Sequence, residues 1–204
     1  MKVKRFWPLY LAALLVVMLL GSALFVTRTS AAGQKYRWDI ISVDFAAGTL
    51  GPGGSASATA IDGSKITLTG EGTFNAASTF GNRDVTGGGT WQAFDPSGTP
   101  TGSGTYQVTG FVSFTTVPGN PAPLKDLIGN PANARAGLLF VTIAYSDGST
   151  GVLTVSCHLP GPPDIVPASV FEGIRVSKDV ADYWNGTKPV PGVNGNRTVF
   201  HLLD

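Results

Sequence analysis

The sequence predicts an all-β fold: a single antiparallel barrel or barrel-like sandwich of about eight to nine strands, preceded by an N-terminal signal or anchor helix. Three observations carry this. Apolar and polar residues alternate over short stretches bounded by turn residues. Only 13% of the chain is charged, whereas Gly, Ser and Thr abound. After residue 32 there is no long helical pattern. Tight turns and short strands explain all three.

The predicted strands fall at 36–45, 55–61, 65–74, 84–94, 103–115, 137–146, 150–158, 169–177 and 197–203. Three hairpins carry turn signals. Asp62-Gly63 joins the second and third strands, Asp95-Pro96-Ser97-Gly98 the fourth and fifth, and Asp147-Gly148 the sixth and seventh. Asp-Gly between alternating stretches favours a hairpin because glycine accepts the positive φ the turn needs. The Pro/Asn/Ala-rich stretch 117–136 reads as a long loop, and 160–168, with four prolines, as a rigid connector. Residues 179–184 read as a short helical turn, and 185–196 as a surface loop.

Residues 1–32 read as a signal peptide or signal anchor, and 33–204 as one extracytoplasmic β-domain. Lys2, Lys4 and Arg5 precede an apolar stretch from Phe6 to Val26, and Ser30-Ala31-Ala32 follows it. A basic start, an apolar middle and small residues form a secretory pattern. The stretch is also long enough to span a bilayer. In either case basic residues hold the cytoplasmic side, which puts the domain outside: secreted, or tethered by an uncleaved anchor.

Of 14 basic residues, Lys2, Lys4, Arg5 and Arg28 lie in the leader, and none of the 13 acidic ones do. The domain therefore carries ten basic and 13 acidic residues, a net charge of −3. A weakly acidic domain without a basic cluster argues against a nucleic-acid partner. Contact with a membrane is expected only through the N-terminal segment. The single cysteine, Cys157, allows no internal disulfide, so the core must hold the fold without one.

A Gly-x-Gly-Thr-aromatic repeat occurs three times, at Gly70–Phe74, Gly87–Trp91 and Gly102–Tyr106. Side chains alternate across a strand, so in each copy the glycines and the aromatic share one face. The first copy shares it with Ile66 and Leu68, the second with Val85 and Ala93, and the third with Val108, Val112 and Phe114. That face is the interior. Inward glycines signal sharp coiling, aromatics lying over bare backbone, or a ligand cavity. On the last reading Phe74, Trp91, Tyr106, Gly72, Gly89 and Gly104 form the ligand site. A cavity of roughly 300 Å³ or more, lined by aromatics, would favour it.

Catalytic signals are sparse. The chain has no Gly-x-Ser-x-Gly elbow, no phosphate-binding loop and no His-Glu-x-x-His. Neither a cofactor nor a metal is expected. Cys157 aligns with Leu153 and Val155 on a core side, and His158 with Thr154 and Ser156 on a polar side, so they do not share a metal. Glu71 falls on the polar face. Glu172 alternates with Val170, Ile174 and Val176, which read as core, and is the one weak catalytic candidate. An inward carboxylate has a raised pKa unless a cation pairs with it, and Arg37, Arg135 and Arg175 are the possible partners. Asn185-Gly186-Thr187 and Asn196-Arg197-Thr198 fit the glycosylation triplet, or are two surface-loop asparagines.

The architecture resembles that of lipocalins and allene-oxide-cyclase-like barrels. The Gly-x-Trp of the lipocalin first strand is absent, since Trp38 follows Tyr36-Arg37, and no residue role is carried over. Three functions stay open. The domain binds a small apolar molecule or a surface partner; it is a cofactor-free barrel enzyme using Glu172; or it is a structural cell-surface module.

Overall fold

The computed structural model describes residues 33–117, 123–160 and 170–203. The leader, part of the 117–136 loop and nearly all of the proline-rich connector lie outside the described residues.

Fourteen strands form among the described residues. In chain order the first seven are β1 (Lys35–Asp44), β2 (Thr49–Gly51), β3 (Ala56–Thr59), β4 (Lys65–Leu68), β5 (Glu71–Asn75), β6 (Gly88–Phe94) and β7 (Pro100–Val117). The other seven are β8 (Lys125–Asp126), β9 (Ala134–Tyr145), β10 (Thr150–Cys157), β11 (Gly173–Lys178), β12 (Ala181–Tyr183), β13 (Asn185–Gly186) and β14 (Gly192–Leu203). Six of them, β1, β5, β6, β7, β9 and β14, close an antiparallel barrel. The others extend it: β10, β11 and β12 build outward from β9, β4, β3 and β13 from β6, and β2 and β8 from β1.

All three predicted hairpins form, with Gly63, Gly98 and Gly148 at positive φ. Other expectations need correction. The barrel closes on six strands rather than eight or nine, because short additional strands pair outside the ring. Residues 181–183 are strand β12, not a helical turn, since they pair with Val176–Lys178 of β11. The long loop contains β8, which pairs parallel with β2, and a short 3₁₀ turn at Pro131–Asn133. The loop 185–196 contributes β13 and the start of β14. Asn196 is no surface-loop residue. It is buried at φ 55, its side chain accepting from Ser57 N and donating to the Lys188 carbonyl. Asn185 is exposed.

The stretch predicted as one strand at 65–74 is split into β4 and β5, yet both halves pair with β6 in one continuous register. Thr69 and Thr73 meet Thr90 and Thr86 on the outer face, hydroxyl to hydroxyl at 2.8 and 2.9 Å. Gly70, Gly72, Gly87 and Gly89 face inward as two cross-strand pairs. A Cβ on Gly72 would lie 2.1 Å from the Thr86 carbonyl, and one on Gly89 2.0 Å from the Thr69 carbonyl. The indole of Trp38, fully buried, covers this bare backbone, reaching within 2.6–3.2 Å of Cβ positions on Gly70, Gly72 and Gly87. Trp91 lies over Gly102 and Gly104 in the same way. The glycines therefore let two strands and a tryptophan approach closely.

On β7 the alternation fails. Register shifts between Val108 and Gly110 and between Phe111 and Ser113 mark bulges. A bulge sets two residues against one and reverses the facing of the residues beyond it. Phe111 turns inward as a result, and the ring of Phe114 sits 4.7 Å from that of Phe74.

β8 is tied to β14 by a buried pair, His201 Nε2 and Asp126 Oδ2 at 2.7 Å. The other Asp126 oxygen accepts the backbone N–H groups of Ile128 and Gly129.

Candidate functional site

The repeat residues enclose no apolar cavity among the described residues; Trp91 and Gly104 line an open depression of about 510 Å³. Phe74 and Tyr106 are each 1% exposed, in an interior filled by rings. Phe74 contacts Tyr36, Phe111, Phe114 and Phe200, and Trp91 meets Tyr145 edge-on. The Tyr106 hydroxyl donates to the Thr69 carbonyl at 2.9 Å. Gly72 sits beneath Trp38. Gly89 borders a second open depression, of about 260 Å³, beside Gly70, Gly88 and Glu71.

The apolar cavity is elsewhere, beside Glu172. Its volume is about 190 Å³. That is smaller than the roughly 300 Å³ at which ligand pockets ordinarily begin, and its walls are mainly aliphatic. Ile41 and Val43 come from β1, Leu50 from β2, Val199 from β14 and Leu159 from the segment after β10; Phe45 stands at its exposed edge. Cys157, His158, Glu172, Arg197 and Thr198 also line it, with Pro123, Leu124 and Pro160.

Glu172 precedes β11, and Gly173 turns the chain there at φ 110. That positive φ breaks the alternation used to place Glu172 beside Ile174 and Val176. It carries the carboxylate instead to the junction of β10 and β14. One oxygen accepts the His158 N–H at 2.5 Å; the other accepts the Thr198 N–H at 2.6 Å. Burial pushes the carboxyl up to about 7, against the two backbone donors and the charge of Arg197, which pull it down.

None of the three anticipated arginines pairs with it. Arg37 chelates buried Asp39 and bonds Glu71. Arg135 donates to the carbonyls of Ala132 and Ala134. Arg175 stacks on Phe171 at 4.2 Å. Glu71 is exposed but ion-paired, not simply solvated. Asp39, which sequence reasoning missed, is 1% exposed, and burial raises its pKa despite Arg37. Its alternation with Arg37 and Ile41 was the available signal.

Cys157 is buried, as its alternation implied, and burial holds its thiol well above the usual range. His158 lies just past the end of β10, so strict alternation no longer governs it and it reaches the same cavity. The polar side assigned to Thr154 and Ser156 is itself buried. Ser156 Oγ donates to the Phe171 carbonyl, because β11 and its approach cover that face. Among the described residues no cluster of three or more His, Cys, Asp or Glu is placed to hold a metal.

A protonated, buried thiol is a poor nucleophile. Iodoacetamide near pH 8 is therefore expected to leave Cys157 unmodified in the folded protein and to alkylate it after unfolding. Intact-mass spectrometry checks this; rapid native alkylation would contradict the burial of Cys157.

No family model matches the chain, and neither curated proteins nor solved structures show a significant match. The geometry beside Glu172 is therefore the ground for a functional reading.

Proposed function

We propose that this domain acts outside the cytoplasm as a binding protein for a small, largely apolar molecule, held in the cavity beside Glu172. One observation carries the reading: an apolar cavity of about 190 Å³ whose wall, among the described residues, holds one carboxyl. A dry cavity of roughly 150 Å³ takes a benzene ring. The ligand is therefore one ring or a short branched chain, not a long lipid. The basic-apolar-small leader supports the extracytoplasmic placement.

A second reading has one observation in its favour. A carboxyl titrating at about 7 suits general acid or base catalysis near neutral pH. Turnover of the bound molecule, lost in Glu172→Gln while binding survives, would support it.

Native mass spectrometry of protein taken from its own host tests the main reading. The expected result is a co-purified molecule of about ten non-hydrogen atoms, recovered from the extracytoplasmic fraction. Substituting Leu159 or Val43 by tryptophan should fill the cavity and release it. A soluble, full-length cytoplasmic chain would overturn the placement.

A further inference from the structure

Resting on the ligand-pocket reading, we infer that the cavity selects a small apolar amine, whose ammonium group pairs with the Glu172 carboxylate. Both oxygens of Glu172 accept backbone N–H groups, from His158 and Thr198, an arrangement that favours the anion. Thr198 Oγ1 also lies 3.4 Å from the oxygen that Thr198 N–H bonds, so it is the other oxygen, held by the His158 N–H, that keeps a lone pair for a ligand.

No cation bonds this anion directly; the Arg197 charge acts on it without an ion pair. A buried carboxylate is costly unless a positive charge offsets it. No lysine or arginine among the described residues forms an ion pair with Glu172. Arg197 lines the cavity, but its guanidinium donates to the Val190 carbonyl and stacks over Phe45 at 5.4 Å. Among the described residues, the other charged or titratable groups at this cavity are Cys157 and His158. The thiol is neutral, and the bond that His158 makes to Glu172 comes from its backbone.

Among the described residues the remaining wall is mainly apolar, and the Thr198 hydroxyl in it is already bonded to the Ser156 carbonyl. A charged donor on a small hydrocarbon body therefore complements the site at both ends. A ligand carboxylate would meet Glu172 as a like charge. A neutral alcohol would make the hydrogen bond without offsetting the charge.

Benzylamine, benzyl alcohol and benzoate share one ring and differ in the group presented to Glu172. Isothermal titration of the folded domain near pH 8 should show benzylamine binding about tenfold or more tighter than benzyl alcohol, and benzoate weakest. The amine needs the carboxylate ionised. Its affinity should therefore fall about tenfold per pH unit below roughly pH 7, while that of the alcohol changes little. Glu172→Gln should remove the preference and keep the alcohol. If that variant does not fold, the pH profile of the wild type decides alone. Equal binding of amine and alcohol, or tightest binding of benzoate, would overturn the amine assignment and leave the pocket reading standing. Failure of all three to bind would overturn the pocket reading itself.

Discussion

Replacing Gly72 or Gly89 by valine is expected to destabilise the domain by about 3 kcal/mol or more, at the upper end of overpacking costs. At both positions the first atom of a side chain would fall about 2 Å from a backbone carbonyl of the neighbouring strand. Backbone cannot swing aside as a side chain can, so the sheet would have to open or Trp38 leave its place. Gly104→Val should cost less, because its neighbours are side chains, Ser146 Oγ and the Trp91 ring. Thr73→Val and Thr90→Val should change stability by less than about 1 kcal/mol, removing only an outer-face hydroxyl pair. Urea unfolding of the five variants gives the comparison. Equal losses at the glycine and threonine positions would contradict the inward placement of the glycines.

The second large effect is a pH dependence set by Glu172. Its folded pKa, about 7, lies above the ordinary 4.5. The folded state therefore binds the proton more tightly than the unfolded chain does. The stabilisation is fully present below pH 4.5 and is lost as pH rises through 7. A shift of that size corresponds to about 3 kcal/mol across the window. Asp39, whose pKa is also raised, adds a loss of the same sign, so the informative quantity is the difference between wild type and Glu172→Gln. That variant should flatten the curve between pH 4.5 and 7. It should also cost about 1–3 kcal/mol at pH 5, because an amide NH₂ would face the N–H of His158 or Thr198 where an oxygen now accepts it. Melting curves from pH 4 to 8 measure both effects. Parallel curves for the two proteins would show that Glu172 titrates normally.

The sequence by itself determined the class of fold, the three hairpins, and the inner and outer faces of the strands around the glycine repeats. These follow from local rules. Side chains alternate with a period of two, and Asp-Gly supplies the φ that a tight turn requires. The inward setting of Gly70, Gly72, Gly87 and Gly89 was legible for the same reason. The side chain lying over them was not. Trp38 comes from another strand, and only the closing of β1 against β5 brings it there.

Strand count and the site belonged to the tertiary structure. Short strands such as β8 and β13 exist because a distant partner offers its edge, and two residues carry no period to read. Bulges on β7 moved Phe111 inward where alternation has no means to show it. Glu172 stood out in sequence as an acid among apolar residues, and its carboxyl does lie in an apolar place. Its neighbours were decided elsewhere. The positive φ of Gly173 redirects the chain, and the carboxylate meets the ends of β10 and β14 rather than an arginine. A cavity formed by β1, β2, β10 and β14 has no signature in any one of them, because its shape arises only where separate strands converge.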